Sequence, residues 1–82
     1  MSSWDALAAI ATQDDQGNTI SGDVVLIDTH GCHVHADGIT ITALGMDDLI
    51  IVANSSHVLI VPKGRSQDVK KIAEALKARS QG

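Results

Sequence analysis

Five short apolar segments, separated by turn-forming residues, restrict the fold of this chain more than any other feature. They recur at a spacing of roughly 8–10 residues and are rich in β-branched side chains, which is typical of an all-β unit. The five segments are residues 24–27, 32–36, 39–42, 49–52 and 58–61. Residues 39–42 alternate strictly between apolar and polar side chains.

Three of the segments are apolar on both faces, whereas a strand with one solvated face alternates between apolar and polar side chains. Such strands are sandwiched, lie inside a coil, or form an interface between subunits. The spacing suits the rungs of a β-solenoid, although no strict six-residue repeat is visible. We therefore predict a mainly β fold, a short β-solenoid or curled sheet of about five strands, with its core around Val25, Ile51 and Ile60.

Helical patterns flank the β segments. Residues 66–79 predict an amphipathic helix that packs over the sheet, with Ser66 as its N-cap and an apolar stripe of Val69, Ile72, Ala73 and Leu76. Near the start, Trp4 and Leu7 share one helical face with two alanines, which predicts a short N-terminal helix. Residues 14–18 read as a turn. This pattern divides the chain into an N-terminal helix and linker, 1–21, and a β module, 22–82.

Composition narrows the classes of function. The chain has 82 residues and a net charge of −4, and a chain this short buries only about 60–65% of the surface that it exposes when unfolded. A partner subunit that covers part of the core is therefore expected.

An acidic chain with one aromatic residue is a poor nucleic-acid binder, and no apolar run reaches the roughly 20 residues that cross a membrane. No signal-peptide pattern begins the sequence, so we expect a cytoplasmic location.

The densest polar cluster, His30 to His35, is the first candidate for a site. Imidazole and thiolate groups suit zinc, copper or nickel. On a strand, however, His33 and His35 point to one face and Cys32 to the other, so that His57 would have to supply a third ligand. The alternative is that these residues are polar positions on the exposed face of an edge strand.

Other candidate sites are weaker. Cys32 as a nucleophile lacks an evident base, and the 14–18 segment lacks the glutamate and glycine positions of a calcium loop. Asp47 and Asp48 could form a carboxylate pair for acid–base chemistry, but the side chains of adjacent residues usually point apart. No glycine-rich phosphate loop is present, and residues 63–65 offer only a weak anion site. We therefore assign no catalytic residue, cofactor or firm metal ligand.

Four motifs resemble mannose-1-phosphate guanylyltransferases, in the order and at the spacing found in that family. They are SWDAL at 3–7, GDVVLID at 22–28, GMDDLIIV at 45–52 and RSQDVKKI at 65–72. In the family, a preceding α/β domain transfers a guanylyl group from GTP to mannose 1-phosphate with magnesium. The glycine-rich loop and catalytic lysine of that domain have no counterpart here. The resemblance implies the family's C-terminal β-helix module, which packs and associates subunits.

We expect from this that the chain is not an enzyme on its own but an interaction and oligomerisation module. It would form a homodimer through its two-faced strands, with Val25, Ile27, Ile51 and Ile60 as interface residues. One alternative is an accessory subunit of a separate nucleotidyltransferase. Another is a small metal- or ligand-binding protein that uses the 30–35 stretch, which matches no family signature.

Overall fold

The computed structural model describes residues 12–81 and shows a mainly β chain, as predicted. One five-stranded mixed sheet, in the order β1-β2-β3-β4-β5, is followed by helix. The predicted N-terminal helix lies outside the described residues. The strands are β1 (Thr12–Gln13), β2 (Thr19–Ile27), β3 (His33–Leu44), β4 (Leu49–Ala53) and β5 (Val58–Pro62); a 3-10 helix (Lys63–Asp68) and helix α1 (Val69–Gln81) follow.

The three central strands run parallel and form the rungs of a β-helix. His33 lies 14 positions after its partner Thr19, and Ile50 lies 17 positions after its partner His33. The outer pairs, β1 with β2 and β4 with β5, are antiparallel. The sheet is curled but not closed, which confirms the predicted fold class.

A bend divides β2 and β3 into two arms. The register of this pair shifts between Ser21 and Asp23, where Gly22 has a φ of +89°. A Cβ on Gly22 would lie 2.0 Å from the carbonyl oxygen of Ala36, so the two backbones approach closely only because this residue has no side chain. Before the bend, β2 pairs with β1 on its other side and β3 pairs with β4; after the bend, β2 and β3 pair only with each other.

The core lies between the two arms and is thin. Cys32, Val34 and Ile51 form its buried centre. Val24, Leu26 and Ile41 of the second arm and Leu49 of β4 pack against it. The predicted core is thus correct for Ile51 and wrong for Val25 and Ile60, which are exposed. Val25 alternates with Val24 and Leu26, and since those two point inward, Val25 points outward.

Strand limits also differ from the prediction. Residues 33–36 and 39–42, predicted as parts of two segments, belong to one 12-residue strand, β3. Gly38 continues the chain through the bend with a φ of +70° and does not end the strand. The two-residue β1 carries no apolar pattern that could have predicted it.

The C-terminal helix exists, but it neither begins at Ser66 nor packs over the sheet. Ser66 lies inside the 3-10 helix, which Pro62 precedes. Among residues 69–80 of α1, Ile72 alone is half-buried, because the 3-10 helix leads the chain past the edge of β5. There Ile72 borders a shallow groove beside Ile60 and Val61. Within residues 12–81, no helix is long and apolar enough to cross a membrane.

Candidate interaction surface

Three turns stack at one end of the β-helix, and a buried asparagine joins them. Asn18 is fully buried in the first turn. Its Nδ2 donates to the carbonyl oxygen of Thr29 at 2.7 Å and to Oδ2 of Asp14 at 2.8 Å. Its Oδ1 accepts from the backbone N–H of Cys32 at 2.8 Å. The predicted 14–18 turn is therefore confirmed, and it also fixes the first rung on the second.

Thr29 continues the connection to the third turn. It is fully buried, and its hydroxyl donates to the carbonyl oxygen of Ile27 at 2.9 Å and accepts from the N–H of Met46 at 3.4 Å. Every buried side-chain nitrogen and oxygen in the described part of the chain has a hydrogen-bond partner. These polar groups hold the rungs together, and none is left free to bind a ligand.

The carboxylate of Asp14 completes this turn. It accepts from the side chain and backbone of Asn18 and from the backbone of Gln16. The side-chain hydrogen bond from Asn18, then the backbone bond from the same residue, lower the pKa of Asp14 below its ordinary value. The turn thus favours the charged carboxylate for a structural reason that needs no calcium ion.

The two strand histidines lie on the opposite side of β3 from the core. Cys32, Val34 and Ala36 are buried, while His33 and His35 alternate with them, as the strand geometry predicted. The expectation of an edge strand was wrong, since β3 is the central strand. Partial burial lowers the pKa of His33 below its ordinary value, and the positive charge of Lys63 lowers it further.

The candidate metal ligands do not come together. No group of three or more His, Cys, Asp or Glu side chains among residues 12–81 is arranged to hold a metal ion. His57 lies in the exposed turn between β4 and β5, where its carbonyl oxygen accepts from the N–H of Asn54. Cys32 is buried, and its Sγ accepts from the N–H of Leu49 at 3.4 Å. The cysteine is thus a core residue whose thiol contacts backbone groups, with the carbonyl oxygen of His30 accepting from it at 3.7 Å.

The remaining candidates are exposed surface groups. Asp47 faces Nδ1 of His30 at 3.2 Å, which is a contact between two turns. Arg65 pairs with Asp68 at 2.9 Å, so it is engaged within the 3-10 helix. Neither arrangement supports acid–base chemistry or a built anion site.

The second arm presents an apolar outward surface, which we call the outer face. It consists of Asp23, Val25 and Ile27 on β2 and their respective register partners Thr40, Thr42 and Leu44 on β3. Val25, Ile27 and Leu44 are 49%, 53% and 64% exposed. Exposed apolar side chains that adjoin one another in this way mark a contact surface more often than scattered ones do.

The four predicted interface residues occupy different places. Val25 and Ile27 lie on the outer face, next to Leu44, which the sequence reasoning missed. Ile60 is 58% exposed on the edge strand β5. Ile51 is buried in the core, so it presents no surface to a partner.

Charge is segregated along the chain. All six lysine and arginine residues lie between 63 and 79, in the 3-10 helix and α1, whereas residues 12–62 contain seven aspartates and no lysine or arginine. This segregation is visible in the sequence, but the overall charge of −4 conceals it. The β-helix is acidic and the helical segment is basic.

Comparisons with known proteins agree with the geometry. A family model described as the MannoseP isomerase/GMP-like beta-helix domain matches residues 22–76. The chain is 40% identical over 75 residues to a mannose-1-phosphate guanylyltransferase of Klebsiella pneumoniae, covering 92% of this chain and 16% of that protein. It is 34% identical over 77 residues to the alginate biosynthesis protein AlgA of Pseudomonas aeruginosa, covering 94% and 16% respectively.

A solved structure shares the fold. The crystal structure of a mannose-1-phosphate geranyltransferase from Thermus thermophilus superposes with a TM-score of 0.67 at 31% identity. The match covers 90% of this chain and 23% of that one. The chain therefore spans about a sixth of the curated relatives, in the 16% stretch that matches it.

Proposed function

The chain belongs to the MannoseP isomerase/GMP-like beta-helix domain family, and we propose that it is a non-catalytic module through which two copies of the chain associate. The matched stretch corresponds to the small C-terminal β-helix part of mannose-1-phosphate guanylyltransferases. We assign their nucleotidyl transfer to the remainder of those proteins. The cytoplasmic location expected from the sequence stays a prediction.

One observation carries this proposal, the apolar outer face. Val25, Ile27 and Leu44 are each about half exposed or more, although the core of the same chain is thin. Burying apolar surface contributes about 25 cal/mol per Å². A chain that leaves such side chains in water gains stability when a partner covers them.

The test is sedimentation velocity across low to high micromolar concentrations. We expect a dimer that a chelator does not dissociate. Val25→Ser combined with Ile27→Ser is expected to shift the chain towards monomer. The matched control is Val52→Ser, which removes one exposed valine from another strand and is expected to leave the dimer intact.

Either of two results would oppose the proposal. A wild-type monomer at high micromolar concentration would show that the outer face does not mediate self-association. A dimer that dissociates with chelator would instead indicate a metal-bridged assembly, with His33 and His35 as the candidate ligands.

A second candidate function is that of an accessory subunit for a separate nucleotidyltransferase chain. The observation that favours it is the match to one part of a larger enzyme. The test uses the Klebsiella protein without its matching segment, mixed with this chain. Co-sedimentation of the two, together with a wild-type chain that is monomeric alone, would favour this candidate over the homodimer.

A further inference from the structure

We propose that α1 of one copy docks on the outer face of a second copy, reciprocally, so that two such contacts close the dimer. This inference rests on the proposed self-association and names the surfaces that carry it. Two surfaces of the same chain support the inference. One is a basic helix with an uncovered apolar stripe, and the other is an acidic β-helix with an uncovered apolar face.

The apolar stripe of α1 lacks a partner within the described part of the chain. Val69 and Leu76 are 37% and 36% exposed, and Ile72 alone meets the groove beside β5. At 100° per residue, Lys70 and Lys77 flank the stripe on one side and Arg79 on the other. The helix therefore presents an apolar strip bordered by positive charge.

The outer face has the opposite border. Asp23 lies at one end of the face, and Asp28 and Asp47 follow its strands at the other end. The side chain of Asp47 is 68% exposed. Apolar surface thus meets apolar surface, and aspartates meet lysines and arginine, when the helix of one copy lies on this face of another.

The dimensions of the two surfaces agree. Helix α1 has 13 residues, which is about 20 Å at 1.5 Å per residue. The β2 side of the outer face runs from Asp23 to Ile27, about 16 Å at 3.3 Å per residue. The helix is thus long enough to cover the whole face, and reciprocal docking uses each surface once in each copy, as a two-fold dimer requires.

The experiment reverses the charge on each border and then combines the two changes. The helix variant is Lys70→Glu with Lys77→Glu, and the face variant is Asp23→Lys with Asp47→Lys. Alone, each is expected to weaken the dimer by at least about tenfold in Kd at low salt, because like charges then oppose each other in both contacts. An equimolar mixture of the two variants restores opposite charges in both contacts and is expected to form a heterodimer.

Matched controls carry the same change in net charge at other places. Lys63→Glu with Lys71→Glu lies off the flanks of the stripe, and Asp15→Lys with Asp37→Lys lies off the outer face. Both are expected to dimerise like the wild type. Far-UV circular dichroism of each variant establishes that the fold is retained.

The outcomes separate this inference from the proposed function. If the wild type and both charge variants dimerise equally, self-association stands and the helix-to-face contact is refuted. Loss of the dimer in both variants without rescue in the mixture also refutes that contact. A monomeric wild type overturns the proposed function and this contact with it.

Discussion

Replacing the buried Asn18 by alanine is expected to remove much of the stability of the chain. Three side-chain hydrogen bonds are lost, two of them to the fully buried residues Thr29 and Cys32. A buried backbone group left without a partner costs about 1–3 kcal/mol. Two such groups suggest a loss of about 3–5 kcal/mol, against about 4–12 kcal/mol for a domain of this length.

The measurement is urea denaturation followed by circular dichroism at one fixed protein concentration, because the proposed dimerisation would contribute to apparent stability. Asn54→Ala is the matched control. The side chain of Asn54 accepts from the N–H of Ser56 at 2.9 Å in an exposed turn, and its loss is expected to cost less than about 1 kcal/mol.

Asn18→Asp tests the same contact without creating a cavity. The carboxylate keeps an acceptor for the N–H of Cys32 but loses both donated bonds, and it places a second negative charge next to Asp14. We expect this variant to be destabilised at neutral pH and to recover as acid protonates one of the two carboxyls. If Asn18→Ala cost no more than Asn54→Ala, the stacked turns would not depend on this side chain, and the reasoning would be refuted.

Three further predictions concern the bend, a histidine and the core. Gly22→Ala is expected to destabilise the chain far more than Gly38→Ala, since both have positive φ but only the first new Cβ meets a backbone oxygen at 2.0 Å; equal loss in urea denaturation would contradict the two-arm geometry. The pKa of His33 is lowered in the fold, so as the pH falls the unfolded chain binds a proton at this residue before the folded chain does. The unfolding free energy therefore decreases as the pH drops below about 6.5. His33→Gln is expected to flatten that decrease, and a variant with an unchanged pH profile would refute the lowered pKa of His33. Ile51→Ala is expected to cost about 2–5 kcal/mol and Ile60→Ala under about 1 kcal/mol in the monomer, and the reverse order would show that the core is misplaced.

The β content could be predicted because β-branched runs and turn residues are local signals. The side of the sheet to which each residue points could not be predicted. Residues 24–27 are all apolar, and without alternation nothing in the segment shows that Val24 and Leu26 point inward and Val25 outward. The bend at Gly22 settles this, and it depends on the close approach of the Ala36 backbone on the neighbouring strand.

The role of Asn18 was hidden for a similar reason. Asparagine in a turn is ordinary, and its partners Thr29 and Cys32 are 11 and 14 residues away. Only the stacking of two rungs brings those groups to the side chain. The start of α1 was misplaced because Ser66 is as acceptable in a 3-10 helix as at an N-cap, and no local signal separates the two.

Two modes of association compete on this fold, and charge distinguishes them. Strand β5 is an open edge that carries Val58 and Ile60, both exposed, so two copies could pair edge to edge. That strand contains no charged residue, so pairing there would not bring the basic segment of one copy to the acidic surface of the other. Docking of α1 on the outer face instead brings the basic segment of each copy to the acidic surface of the other. It would also cover the apolar stripe of α1, which the fold leaves away from its own sheet. For these two reasons we propose the outer face, and not the β5 edge, as the contact.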